Sequence, residues 1–187
     1  MNEFSVSASR FRFTRASVLA LVLLAASFGI YGCRKRQVNE AAVDLTGRVS
    51  PIGSPKNFER NLDVIRRGNK KDAMVLVAPA GIRASLRGVT GRRTLEFWAA
   101  PVFDIGDGFL MMVFINRSGT RFLVEERYFD PGRRAEDRNW IPVAVQLDDI
   151  KKGDQVEIEL SAGPQGDLTA DWLALSSVRL TRSELRN

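Results

Sequence analysis

Three tryptophans and a scatter of carboxylates hold most of the chemistry this sequence can offer. Trp98, Trp140 and Trp172 each present a ring that can stack on a sugar, and each can equally fill a core. Trp172 is expected in the core, whereas Trp98 and Trp140 suit either role. Arg127 stands beside Tyr128 and has the planar donor fork that binds hydroxyls or carboxylates bidentately, although a solvated edge charge is the commoner outcome. Asp104, Asp107, Asp167 and Asp171 fall near strand ends or in loops, where oxygen ligands gather around calcium. No EF-hand spacing links them, and isolated loop aspartates are usually turn formers, so no metal is assigned. The chain has no histidine and one cysteine. That removes Ser-His and Cys-His nucleophile pairs, HExxH and cysteine-rich zinc sites, and internal disulfides. A pair of carboxylates, as in glycoside hydrolysis, is the remaining catalytic route. Glu125 and Glu126 are adjacent and point to opposite faces of a strand, while Glu157 and Glu159 share a face that reads as solvated surface. No catalytic residue and no cofactor is assigned.

The single cysteine is placed suggestively. Residues 16–32 read ASVLALVLLAASFGIYG without a charge, after Arg10, Arg12 and Arg15. A basic start and an apolar stretch make an export signal, a little short of the ~20 residues of a spanning helix. The stretch closes Ile30-Tyr31-Gly32-Cys33. This resembles the lipobox of bacterial lipoproteins, which implies acylation at Cys33. The triplet Arg34-Lys35-Arg36 supports an uncleaved anchor instead, because positive charge after an apolar segment resists translocation. Residues 1–33 are therefore expected to be a lipoprotein-type signal or a membrane anchor helix. Either tethers the remainder to a membrane of the cell envelope, facing the periplasm or exterior.

Charge follows the same division. The 187 residues carry 28 basic and 22 acidic side chains, a net of +6. Residues 1–36 hold six of the basic ones and only Glu3 among the acids. That leaves 22 basic and 21 acidic residues for 37–187, a net of +1. A nearly neutral body gives no electrostatic footing for nucleic acid.

The elements that must position these side chains are strands. Residues 34–56 mix small, polar, Gly and Pro residues and read as a linker. Asn57 can cap a short helix carrying Phe58, Leu62 and Ile65 and ending near Gly68. From 73 onward, eight short apolar runs are separated by turn residues: 73–79, 82–88, 94–103, 109–116, 120–129, 140–147, 155–162 and 170–180. Val156, Ile158 and Leu160 alternate with Glu157 and Glu159, which marks a half-buried strand. Phe109 to Ile115 is apolar on both faces and predicts a central strand, or one covered by another segment. Residues 57–187 are thus expected to form an all-β, antiparallel β-sandwich of jelly-roll type with about eight strands.

The last third carries a recognisable arrangement. Arg138-Asn139-Trp140 opens a strand with Val143, Val145 and Leu147; Lys152-Gly153-Asp154 turns into Val156, Ile158 and Leu160; Asp171-Trp172 heads a final strand. Upstream, Ala78 to Leu86 and Gly106-Asp107-Gly108-Phe109 lead into strands. Over roughly 73–180 this resembles the galactose-binding-like jelly-roll modules found beside bacterial envelope sulfatases, glycosyltransferases and glycosidases. The resemblance implies a carbohydrate-binding sandwich. Trp140, Arg127 and Asp171 are the residues expected to bind a glycan. The expected protein is a membrane-tethered, non-catalytic envelope component. A scaffold for an envelope protein and a carboxylate-dependent glycoside hydrolase are the alternatives.

Overall fold

Period-two burial runs through nearly every apolar segment. On Phe109–Arg117 the odd-numbered Phe109, Met111, Val113 and Ile115 are buried and the residues between them are half-exposed. Such a pattern needs a second sheet to face. The structure, a computed structural model, describes residues 42–163 and 166–183. Its strands are β1 (Ala42–Asp44), β2 (Val49–Ile52), β3 (Phe58–Arg66), β4 (Asn69–Val77), β5 (Ala80–Ser85), β6 (Gly91–Pro101), β7 (Phe109–Arg117), β8 (Thr120–Phe129), β9 (Ile141–Ile150), β10 (Gln155–Ala162) and β11 (Trp172–Arg182). A first sheet runs β3-β4-β11-β6-β9 with β1 also on β11, and a second runs β2-β5-β10-β7-β8. All pairings are antiparallel. The β-sandwich expected from the sequence is present, and the eight apolar runs overlap β4 to β11 one for one. Among the described residues no helix is long and apolar enough to cross a membrane; residues 1–33, with Cys33, lie outside them.

The core lies between the sheets. Leu95, Phe97, Leu173, Leu175, Val143 and Val145 from the first meet Ile82, Met111, Val113, Ile158 and Leu160 from the second. Phe109 and Phe129 stack with ring centres 5.4 Å apart, a geometry worth about 1 kcal/mol beyond the area it buries.

Two expectations are corrected. Residues 42–52 belong to the sheets and not to a linker: β1 pairs with β11 and β2 with β5, and Leu45 and Val49 enter the core. These strands are short and lie on sheet margins, where Pro51 can forgo its missing N–H. The expected helix after Asn57 is strand β3. Its Leu62 and Val64 turn toward a packed face while Ile65 is 61% exposed. Burial alternates along β3 through a bulge between Glu59 and Leu62, but polar Arg60 stands on the inward side and apolar Ile65 on the outward one, so the apolar residues alone imitate helical spacing. Arg67 and Gly68, both at positive φ, close a two-residue turn of the type that matches strand twist. Strand β7, for its part, lies between β10 and edge strand β8. Its outward Phe114 is covered by the Arg121 guanidinium, 3.9 Å from the ring centre.

The β3–β4 hairpin shapes the outer surface. β4 pairs with β11 only from Met74 to Val77, while its ladder with β3 continues to Arg66 and Asn69. The remaining half of the hairpin folds over the outer face of the first sheet. There Val64 and Ala73 pack with Val75, Ala100, Ala174 and Trp140 in a second apolar cluster. Its tip is tied down by Arg66 on Asp104 and on the Val102 carbonyl (3.0 Å), and by Arg67 on the Ala135 carbonyl (3.2 Å).

Candidate functional site

The loops that follow β6, β8 and β10 meet at one end of the sandwich and form a rim. Gly106 lies against Thr169 and Ala170 on one side and Gly132 on the other. Val102 donates to the Trp172 carbonyl at 2.9 Å. Gly108, at φ 95°, tolerates no side chain, because a Cβ there would overlap the Tyr128 ring and hydroxyl. That close approach lets the Tyr128 hydroxyl donate to the Asp107 carbonyl at 2.6 Å. Burial pushes the Tyr128 phenol up, aided by Asp130 and Asp107. Behind the rim, Asp137 accepts from the Asp130 amide (2.8 Å) and pairs with Arg134 (2.9 Å), while Arg138 donates to the Pro131 and Gly132 carbonyls. The loop between β8 and β9 is thereby held by charge-assisted bonds.

Two kinds of side chain occupy the rim. Phe103 is 37% exposed and meets half-buried Trp172 edge-on, ring centres 5.2 Å apart, with Ile105 and Leu168 also exposed nearby in their loops. Beneath are two carboxylates. Asp171 is 1% exposed, and neither its oxygens nor those of Asp107 have a hydrogen-bond partner. Desolvation, then the charges of Asp107 and Asp167, push the Asp171 carboxyl up to about 6. Exposed Asp167 behaves oppositely: the Thr169 amide donates to it at 2.8 Å and holds it below the usual carboxylate range. A desolvated carboxyl such as that of Asp171 keeps a proton or takes a cation. Among the described residues no group of three or more metal-ligating side chains assembles. A raised carboxyl is also the signature of a glycosidase acid, but Asp171 has no surface from which to reach a glycosidic oxygen.

The three residues expected to bind a glycan are not assembled into one site. Trp140 is 7% exposed and lies in the outer apolar cluster, its indole N–H donating to the Asn69 carbonyl at 3.0 Å. The hairpin covers it, so it offers no face to a ligand. Arg127 is half-buried with its guanidinium 5.2 Å from the Phe129 ring centre. Asp171 alone is at the rim, beneath its surface. Trp172, expected in the core, is half-buried beside Phe103. Phe103 is the residue the sequence reading passed over; an aromatic followed by Asp104 and Gly106-Asp107-Gly108 was the available signal.

The carboxylates on the second sheet also differ from expectation. Glu157 is 1% exposed rather than solvated, bonded by Arg83 (2.7 Å) and Asn116 (3.0 Å). Arg121 reaches both Glu157 (2.9 Å) and Glu159 (2.7 Å). The pair is neutralised by arginine and supplies no free acid.

No family model matches this sequence, and no curated protein does. Among solved structures, the CBM51 module from Clostridium perfringens GH95 in complex with methyl-galactose is similar at 13% identity and TM-score 0.52, covering 75% of this chain and 99% of that one. The CBM51-2 and INT domains from Clostridium perfringens ZmpB are similar at 10% and 0.51, over 75% of this chain and 31% of that one. The CBM22-1–GH10 modules of Clostridium thermocellum xylanase 10B complexed with xylohexaose are similar at 11% and 0.50, over 78% and 28%. This chain thus spans about a third of the latter two. At such identities the likeness is one of fold alone, an antiparallel β-sandwich of jelly-roll type.

Proposed function

We propose that the domain binds a glycan without altering it, through the rim that carries Phe103. The fold supports this reading, since the similar structures are carbohydrate-binding modules and one holds methyl-galactose. The observation that carries it is the Phe103–Trp172 pair, an exposed ring braced edge-on by a second aromatic. The C–H face of a sugar packs on such a ring. Asp167, held ionised at the same rim, accepts from its hydroxyls. Affinity is modest, because protein hydrogen bonds replace water ones with small net gain.

In the same reading, residues 16–32 and Cys33 tether the protein to a membrane of the cell envelope, with the sandwich on the outer side. A second reading, capture of an envelope protein, is supported by edge strand β8, where Phe122 and Leu123 are 49% and 51% exposed.

A glycan array with the full-length protein is the test. Binding that Phe103→Ala abolishes without lowering the melting temperature supports the rim. Release of reducing ends moves the protein to the enzyme class. Reproducible capture of one envelope protein with no glycan retained establishes the second reading.

A further inference from the structure

The outer face of the first sheet bears a groove that the rim does not use. β4 leaves β11 after Leu175 and β1 joins it only at Arg179, so Ser176 to Val178 lie between two partners. The gap opens into a cavity of 530 Å³ lined by Asp44, Thr46, Lys71, Asp72, Ser177 and Arg179, among others. A cleft of 280 Å³ shares Ser177 and Arg179 with it and continues past Glu96 and Trp98 to Pro142 and Ala144 on β9. On the other side a recess of 110 Å³ shares Thr46 and Asp72 and reaches Arg60 and Asn61 on β3. Together, through these shared residues, they run across the strands from β3 to β9. One residue forced into the left-handed region, Ser177 (φ 56°) at the bulge of β11 between Ser176 and Arg179, lies along it. Such strain persists only where surrounding structure maintains it, and it gathers at ligand sites.

The lining defines the ligand. Glu96 is engaged by Arg179 (2.9 Å) and by the Thr181 hydroxyl (3.1 Å), and Lys71 holds its ammonium 4.2 Å from the Trp98 ring centre. Exposed Asp72 makes no ion pair or hydrogen bond among the described residues, and Asp44 accepts only the Thr46 amide. Thr46 and Ser177 add hydroxyls to the same lining. Three carboxylates (Asp44, Asp72, Glu96) and three cations (Arg60, Lys71, Arg179) leave the lining without net charge, which favours neither an anion nor a cation, and the polar walls disfavour an apolar ligand. We propose that this groove binds an internal stretch of a neutral polysaccharide, several sugar units long, with Asp44 and Asp72 accepting its hydroxyls. The proposal rests on the glycan reading above and assigns it a second, distinct surface. A rim ending in one exposed ring suits a single sugar; three adjoining depressions spanning β3 to β9 suit several sugar units in a row.

The test is calorimetry of the full-length protein with neutral gluco-, manno- and galacto-oligosaccharides of one to six units. Affinity should rise about tenfold or more from one unit to four. Asp44→Ala/Asp72→Ala should lose that gain and leave monosaccharide binding intact; Phe103→Ala should do the reverse. Ser177→Asn fills the groove at its middle with a residue that tolerates left-handed backbone, and should act like the aspartate double variant without shifting the melting temperature. Equal affinity for one and six units, or hexamer binding unchanged in both groove variants, overturns the groove and leaves the rim standing. No binding at any length overturns both.

Discussion

The indole N–H of Trp140 donates to the carbonyl of Asn69 across 3.0 Å, joining the entry of β9 to the tip of the β3–β4 hairpin. The ring beneath that bond is part of a cluster with Val64, Ala73, Val75, Ala100 and Ala174. A tryptophan that looks like a sugar platform in the sequence is therefore the post on which an arm of the fold rests.

Removing that post should be costly. Trp140→Ala is expected to destabilise the protein by about 3–5 kcal/mol, because a large buried ring leaves a cavity. Trp140→Phe keeps much of the volume and loses the bond, at about 1 kcal/mol. Chemical denaturation of the two variants checks the ratio. An unchanged midpoint for Trp140→Ala would show the ring to be free in solution.

Asp171 should give stability an unusual pH dependence. Its folded value, about 6, exceeds the ordinary carboxylate value of 3.8, so between the two the folded protein binds the proton more tightly. Stability is thus greater at low pH and falls as pH rises from about 4 through 6, by up to about 3 kcal/mol from this group. Asp171→Asn should remove that loss and be the more stable form at pH 7. Melting curves in EDTA measure the slope. A slope present in EDTA but flattened by calcium would mean that Asp107 and Asp171 take a cation at neutral pH.

Glu157 on β10 and Glu125 on β8 lie in one sheet, with β7 between their strands, and should behave differently. Glu157→Ala removes the buried carboxylate that Arg83, Arg121 and Asn116 bond; the arginines left behind reach solvent, so the cost is about 1–3 kcal/mol. Glu125 is exposed, and Glu125→Ala should stay within about 0.5 kcal/mol. Equal midpoints for the two would show that the arginine cluster contributes nothing.

Metabolic labelling with a fatty-acid analogue addresses the tether. The wild type should be marked and Cys33→Ala should not, with the mature N-terminus at Cys33. An unmarked wild type that retains residues 1–32 would establish an uncleaved anchor.

Much of the sandwich is legible because period-two burial is a local property. Val156 to Leu160 and Val143 to Leu147 declare their inner faces within a few residues. β1 and β2 are too short to alternate visibly, and in β3 inward Arg60 and outward Ile65 hide an alternation that burial keeps. The site is less legible, because it depends on pairings between distant segments. Nothing near Asp107 indicates Asp171, and nothing near Trp140 shows that a hairpin tip from residues 66–69 covers it. Charge misleads similarly: Glu157 and Glu159 look alike in sequence, and only the approach of Arg83 from β5 and Arg121 from β8 buries the first.

The position of β1 has a mechanical consequence. Its first residue, Ala42, pairs with Thr181 near the end of β11, whereas the rim begins at Trp172, where β11 starts. The two are separated by about 30 Å of strand. A pull between a ligand seated on Phe103 and the chain upstream of Ala42 is therefore directed along β11. Along that line the ladders to β4, β6 and β1 are loaded in shear, many hydrogen bonds sharing the force at once, instead of being peeled one by one.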